Sequence, residues 1–172
     1  NCTLVPPIDD DFMPMDEILD HLPPKLADFV FTQGSLTARL EAHSKKPLKV
    51  EIIHQGYQPL TFAQKSQLGL PLNRPQMAWV RSVKLYGDAD AWVLAKSIFP
   101  LSSLTGSLAR LKALGATPIG YVLFKKRQQL PIKRHFYRYD GQIGRQTVYD
   151  INGRKILIDE LFLAAFQASF DQ

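Results

Sequence analysis

The chain has 172 residues, of which 45% are hydrophobic and 22% charged, and it carries a formal net charge of +5, as expected of a folded globular domain. No apolar run is as long as a transmembrane helix, and Asn1 to Asp11 lack the basic and apolar regions of a signal peptide. Cys2 is the sole cysteine, so an internal disulfide is excluded, which suits a reducing compartment. We therefore expect one cytoplasmic domain over residues 1–172, without membrane insertion.

The first part of the chain predicts helices. Apolar residues within Met15–His21 are spaced for one helix, which Pro23-Pro24 would end. A second helix is predicted through Leu26–Val30, and a third begins after Ser35 as its N-cap and continues through Leu40. Residues 58–76 are rich in proline and glycine and predict a long connection, with a short helix near Ala63–Leu68.

Strands dominate the rest of the chain. Alternating apolar residues predict strands at Leu48–Tyr57, Met77–Tyr86, Ala91–Phe99, Pro131–Tyr139, Gln146–Ile151 and Lys155–Phe162. Gly87–Asp90 is turn-like, and Asn152-Gly153 predicts a type I′ hairpin. Between the hairpins, Ser107–Leu114 predicts a helix capped by Gly115, and Thr117–Gly120 predicts a turn or a helix start. This order favours an α+β fold with a mostly antiparallel sheet.

The positive charge is concentrated late in the chain. The basic residues there are Lys125, Lys126, Arg127, Lys133, Arg134, Arg138 and Arg145. We interpret them as solvated loop and strand positions, because no helix-turn-helix or RNA-binding signature accompanies them, and we predict no nucleic-acid partner. A modest positive field would also help to collect a small dianionic substrate.

Arg81 interrupts an apolar face of its predicted strand. Met77, Trp79, Val83 and Leu85 share that face, so the guanidinium is predicted to leave water and to need a partner. A buried ion pair, or a side chain that reaches solvent at the sheet edge, would satisfy it. A carboxylate-binding site would also satisfy it, because the planar fork suits bidentate binding.

The last predicted strand carries one carboxylate on each of two apolar faces. Ile156, Ile158 and Phe162 share a face with Glu160, whereas Leu157, Leu161 and Leu163 share a face with Asp159. Either carboxylate could cap a backbone group, pair with Arg81 or lie in a closed cavity with a shifted pKa. Periodicity alone does not choose between Asp159 and Glu160.

Other catalytic signatures are missing from the sequence. The four histidines lack metal-ligand spacing, and there is no nucleotide-binding loop or nucleophile elbow. We predict neither a metal nor an organic cofactor.

Four ordered stretches resemble the chorismate pyruvate-lyase family of the ubiquinone pathway. They are WVRSVKL at 79–85, AWVLAKSIFPLSSL at 91–104, LGATPIG at 114–120 and NGRKILIDELFL at 152–163. A weaker match, GSLTARL, lies at 34–40, and the resemblance covers roughly residues 33–165, with the helical segment 1–32 matched weakly. The resemblance implies an about six-stranded antiparallel sheet, helices packed against it and an internal ligand site.

The resemblance also implies the chemistry and the site. The family is a lyase family that converts chorismate into 4-hydroxybenzoate and pyruvate, and its enclosed product would dissociate slowly and inhibit. Arg81 matches the arginine that binds the ring carboxylate, and Glu160 matches the glutamate that binds the ligand hydroxyl, which favours Glu160 over Asp159. Both are predicted catalytic residues. The backbone amides of Leu36 and Ile119 match two further ligand donors, at positions where the family often has Met and Leu.

The helix near Leu36 and the connection from Pro59 to Pro75 are the predicted movable covers of the site. We expect a monomer, because the sequence carries no interface signal. The alternative function is a non-enzymatic small-molecule sensor, because the same fold resembles the effector-binding domains of some bacterial transcription regulators.

Overall fold

A single antiparallel sheet organises the chain. The computed structural model describes residues 12–14, 17, 20, 22–123 and 131–171. In this part of the chain seven strands form one sheet in the order β1-β5-β6-β7-β4-β3-β2. The strands are β1 (Phe12–Met13), β2 (Lys49–Pro59), β3 (Met77–Tyr86), β4 (Ala91–Pro100), β5 (Pro131–Tyr139), β6 (Gln142–Ile151) and β7 (Arg154–Phe162). Six strands have nine to eleven residues and β1 has two, which confirms the predicted α+β class and the six-stranded sheet.

Short helices connect and cover the strands. They are α1 (Pro24–Val30), α2 (Leu36–Ser44), α3 (Phe62–Leu68), α4 (Gly120–Leu123) and α5 (Ala164–Ala168), with 3₁₀ segments at Leu101–Ser103, Gly106–Ala113 and Ser169–Asp171. The first three helices agree with prediction, and Ser35 caps α2 by accepting a 3.1 Å hydrogen bond from the Ala38 amide. The helix predicted at Ser107–Leu114 is a 3₁₀ segment instead. Most of the predicted helix Met15–His21 lies outside the described residues.

Two tight hairpins set the register of the last three strands. Asn152 and Gly153 have φ angles of 56° and 84°, which confirms the predicted type I′ geometry. Asp140 and Gly141 form a second such turn, with φ angles of 50° and 74°, which is an addition to the predicted turns. Because this turn joins β5 directly to β6, β6 begins at Gln142 rather than at the predicted Gln146.

Helices cover one face of the sheet on two sides of a central row. Arg81, Ser97, Ile158 and Thr147 are successive cross-strand partners, and we call the face that they share the site face. On one side of this row, Val83 and Phe136 belong to an apolar cluster with residues of α1 and α2. On the other side, Phe99 and Ile156 pack with residues of α4 and of the 3₁₀ segment Gly106–Ala113. The central row therefore lies between the two apolar clusters, and its Ile158 belongs to the second of them.

Helix α3 covers the opposite face. Leu60 precedes α3, and Leu68 is its last residue. Both pack against Val80, Ile98 and Leu157. These strand residues alternate with those of the central row, so we call their side of the sheet the far face. The prediction that the connection from Pro59 to Pro75 covers the site is therefore wrong, because chain order does not decide which face a short helix joins.

Candidate active site

Arg81 is a buried cation without an anionic partner in the described part of the chain. Its side chain lies on the site face and the residue is 1% exposed, which confirms the predicted burial. One guanidinium nitrogen, Nη2, donates to the carbonyls of Gly115 at 2.9 Å and Thr117 at 2.8 Å. The Nε atom is buried and has no hydrogen-bond partner within the described residues. Burial lowers the pKa of Arg81, which reflects the cost of keeping this charge away from water.

Glu160 and Asp159 point to opposite faces of the sheet, and only Glu160 lies on the site face. Glu160 is the direct cross-strand partner of Arg145, whose Nε donates to Glu160 Oε1 at 2.9 Å. The alternatives in which Arg81 pairs with either carboxylate or reaches solvent are therefore wrong. Arg81 has no acidic partner within the described residues, and Glu160 is paired with a different arginine.

Arg145 is buried, and the prediction that it is solvated is wrong. The residue is 1% exposed. The error follows from the predicted start of β6, which leaves position 145 ahead of the strand. Once β6 begins at Gln142, Arg145 shares a face with Ile143, Thr147 and Tyr149, and this apolar alternation with one charge is the signal that could have found it.

Arg134 is half-buried. Its guanidinium donates to Thr147 Oγ1 and to the Thr32 carbonyl, both at 2.8 Å, and more weakly to the Tyr149 hydroxyl at 3.4 Å. The interpretation as solvated holds for the exposed Lys133 and Arg138, holds only in part for the half-buried Arg134, and is wrong for the buried Arg145. The residues Lys125–Arg127 lie outside the described part of the chain.

A small cavity brings together three of the four predicted site residues. Its volume is about 30 Å³. The lining residues are Gly34, Leu36, Thr37, Ile119, Gly120, Arg145, Tyr149, Ile158 and Glu160. Arg81 is not among them, but its two carbonyl partners belong to the loop that leads to Ile119. A volume of this size holds about one water, so an aromatic ligand would require the walls to separate.

The walls of the cavity meet at the beginnings of α2 and α4. A side chain added at Gly120 would place its Cβ 2.6 Å from Thr37 Oγ1 and 3.1 Å from Ser35 Oγ, so the two segments are in close contact. Leu36 is the first residue of α2, and the amides of a first helical turn have no acceptor within their own helix. The amides of Leu36 and Ile119 therefore lie on elements suited to present donors to a ligand.

A larger groove lies along β5. It measures about 470 Å³, is open to solvent and is lined by Phe31, Gln33, Pro131, Ile132, Lys133, Arg134 and Phe136. The small cavity is the better candidate, because it contains a buried carboxylate and because the loop that forms part of its wall also binds the Arg81 guanidinium, which has no counter-charge among the described residues. Size alone is a weaker criterion than convergent polar groups.

Asp159 lies on the far face with its own set of partners. The Tyr137 hydroxyl donates to Asp159 Oδ1, and Gln146 Nε2 donates to Oδ2 at 2.8 Å. Burial raises the pKa of Asp159 to about 6, although both hydrogen bonds act in the opposite direction. Desolvation also raises the pKa of Tyr137. These contacts give Asp159 a structural environment, separated from Glu160 by the thickness of the sheet.

Features of two other kinds of site are missing from residues 12–14, 17, 20, 22–123 and 131–171. These residues contain no group of three or more His, Cys, Asp or Glu side chains placed to hold a metal ion. Among the helices described, none is both long and apolar enough to cross a membrane.

Comparison of the sequence with known proteins identifies one family. The sequence profile of the family described as chorismate lyase matches residues 12–171. A protein of Psychrobacter arcticus named "Probable chorismate pyruvate-lyase" is 50% identical over 147 residues, which cover 83% of this chain and 88% of that protein. The chorismate pyruvate-lyase of Serratia proteamaculans is 32% identical over 148 residues, covering 83% and 80% of the two chains.

A solved structure agrees at the level of the fold. The crystal structure of PhnF from Mycobacterium smegmatis superposes with a TM-score of 0.52 at 11% identity, covering 78% of this chain and 66% of that one. Identity this low shows a shared fold and nothing about activity. The profile match spans nearly the whole chain, and two relatives exceed 30% identity over most of their length. This chain belongs to the chorismate lyase family.

Proposed function

We propose that the chain is a carbon–oxygen lyase that eliminates pyruvate from chorismate and releases 4-hydroxybenzoate. The observation that carries this proposal is the buried guanidinium of Arg81, which has an unpartnered Nε and no acidic partner within the described residues. A desolvated cation is costly unless an anion meets it. A carboxylate of the substrate would supply that anion and accept a charge-assisted hydrogen bond.

The reaction needs orientation and charge stabilisation more than reactive side chains. The bond between C3 and the ether oxygen breaks, the C4 hydrogen leaves as a proton, and the released electron pair completes an aromatic ring. The departing enolpyruvate takes up a proton at its methylene carbon and becomes pyruvate, so atoms and electrons balance without another reactant. No net redox change occurs, and an electron-carrying cofactor is therefore unnecessary.

The proposed roles follow from where the groups lie. Arg81 anchors the ring carboxylate, and the Leu36 and Ile119 amides donate to the ligand from the cavity wall. Glu160 holds the hydroxyl at C4 and is the candidate acid or base. Its charge is already compensated by Arg145, which leaves Arg81 as the cation for the substrate. Holding the substrate in one reactive geometry is itself a large part of catalysis.

Chorismate turnover tests the proposal directly. Purified protein incubated with chorismate should produce 4-hydroxybenzoate and pyruvate in equal amounts, followed by absorbance and by a coupled pyruvate assay. Folded Arg81→Ala protein is the matched control and should be nearly inactive. Binding of 4-hydroxybenzoate without any turnover of chorismate would instead support the sensor alternative.

The remaining expectations about the enzyme are also proposals. We propose that it acts in the cytoplasm as a monomer, on small molecules and without a nucleic-acid partner or metal. Analytical ultracentrifugation of the active protein at micromolar concentration should give a single species of the 19.5 kDa chain mass.

A further inference from the structure

We propose that Arg145 is a positioning residue that fixes the Glu160 carboxylate in the orientation that recognises the substrate hydroxyl. This inference rests on the proposed function and adds a residue to it. Arg145 would act through Glu160 rather than through the reacting atoms.

The first observation is the shape of the ion pair. Arg145 and Glu160 are direct cross-strand partners on β6 and β7, and their side chains meet at 2.9 Å between Nε and Oε1. No other hydrogen bond of Glu160 is found within the described residues, and its side chain is 11% exposed. Arg145 therefore occupies one carboxylate oxygen and leaves Oε2 able to accept from a ligand in the cavity that Glu160 lines.

The second observation is how firmly Arg145 itself is held. Its Nη1 atom donates to the carbonyls of Phe29 at 3.3 Å, Val30 at 2.7 Å and Thr32 at 3.0 Å, at the end of α1. The carbonyl end of a helix favours a cation. The guanidinium carbon also lies 5.6 Å from the ring centroid of Phe162, a distance suited to a cation–π contact. A planar group bound along two edges cannot rotate freely, so a carboxylate bound to it is also fixed.

Together these contacts explain how a hydroxyl could be distinguished from a hydrogen atom. A flexible carboxylate would have to be ordered each time a ligand binds, whereas a fixed one presents its free oxygen in advance. Hydrogen bonds to charged acceptors change affinity by roughly 10- to 100-fold. Arg145 would thus set, through Glu160, how strongly the site prefers 4-hydroxybenzoate over benzoate.

The test measures this preference in Arg145 variants. Dissociation constants of 4-hydroxybenzoate and benzoate are measured by calorimetry for wild type, Arg145→Met and Arg145→Lys. The affinity ratio should fall by about tenfold or more in Arg145→Met, and benzoate should bind with little change. Arg145→Lys should give an intermediate ratio, because an ammonium is a point charge that cannot hold the carboxylate and the helix end at once.

Arg134→Met is the matched control. Arg134 also donates to the Thr32 carbonyl but makes no hydrogen bond to Glu160. Replacing Arg134 therefore removes a comparable hydrogen bond to the same loop and leaves the contact between Arg145 and Glu160 in place. The ratio of the two affinities should stay within about threefold of wild type, well below the change that loss of a charged hydrogen bond produces. An equal fall in Arg134→Met and Arg145→Met would show general loosening of the loop and would overturn the inference.

A double-mutant cycle separates positioning from a merely structural role. In the Glu160→Gln background, Arg145→Met should have little further effect on the affinity ratio or on kcat, because residues that act as a unit are not additive. Additive effects would contradict the inference, as would a wild-type ratio in folded Arg145→Met or, if that variant does not fold, in Arg145→Lys. Failure of wild-type protein to bind 4-hydroxybenzoate at all would instead refute the proposed function.

Discussion

Replacing Asp159 with asparagine should stabilise the protein at neutral pH and leave catalysis intact. Burial raises the pKa of this far-face carboxyl from 3.8 to about 6. A group whose pKa is raised by folding contributes stability below its unfolded pKa, and that contribution is lost as the pH rises through the folded pKa. As the pH rises from about 4 to about 6, ionisation of Asp159 should therefore lower the free energy of unfolding of the wild-type protein. Two pKa units correspond to roughly 3 kcal/mol.

An asparagine at this position would carry no charge at any pH, so Asp159→Asn should avoid most of that loss. The amide oxygen can still accept from the Tyr137 hydroxyl, whereas the contact with Gln146 requires that side chain to turn its amide. If the Gln146 amide does not reorient fully, the weakened hydrogen bond would cost roughly 1 kcal/mol of stability. We therefore expect a net gain of about 1–2 kcal/mol at pH 8, which corresponds to about 2–8 °C in Tm for a chain of this size.

The assay is urea unfolding at pH 5, 6, 7 and 8 for wild type, Asp159→Asn and the exposed control Asp90→Asn. The stability advantage of Asp159→Asn over wild type should grow from pH 5 to about pH 7 and then level off, because Asp159 is ionised above its folded pKa of about 6, while Asp90→Asn should follow wild type. Chorismate turnover by Asp159→Asn should stay within a few-fold of wild type, unlike that of Glu160→Gln. A variant that is less stable than wild type at pH 8 would show that the native state needs the ionised carboxylate, and the reasoning from burial would then be refuted.

Three other predictions concern the site. Arg81→Ala should lose roughly 2–5 kcal/mol of ligand binding or transition-state stabilisation, and Arg81→Lys should restore little of it; normal turnover by folded Arg81→Ala would place the ring carboxylate elsewhere. Activity should survive excess EDTA without any added cofactor, and restoration of a lost activity by one particular metal would contradict this. The product should inhibit the enzyme and stabilise the folded protein by roughly 2.7 kcal/mol at a hundredfold excess over its Kd. At equal concentration it should raise the Tm more than benzoate does. Glu160→Ala should narrow that difference, and equal shifts with both ligands in wild type would show that Glu160 does not bind the hydroxyl.

Alternation along β3 and β7 predicted the buried charges of those two strands. The apolar neighbours of Arg81 on β3 indicated that its guanidinium leaves water, and the doubly apolar β7 placed Glu160 and Asp159 on opposite faces. Both features depend only on the two-residue period of a strand. The choice of Glu160 came from the family resemblance, and the cavity places Glu160 beside Leu36 and Ile119.

Pairing between distant elements could not be predicted in the same way. The partner of Glu160 is Arg145 on a neighbouring strand, and it was missed because the Asp140-Gly141 turn was not recognised and the predicted β6 starts too late. The face joined by α3 depends on which side of the sheet offers complementary apolar surface, which its own seven residues do not encode. Local periodicity thus identified the buried charges of β3 and β7, whereas their contacts and the burial of Arg145 depended on register and packing.

A crystal structure with bound 4-hydroxybenzoate tests the central claim most directly, because the claim assigns each end of the ligand to one residue. The ring carboxylate should accept hydrogen bonds from the Arg81 guanidinium, with Nε among the donors. The hydroxyl should lie within hydrogen-bond distance of Glu160 Oε2, and the amides of Leu36 and Ile119 should face the ligand. A ligand bound in the groove along β5, or one in the cavity with its carboxylate away from Arg81, would contradict the account.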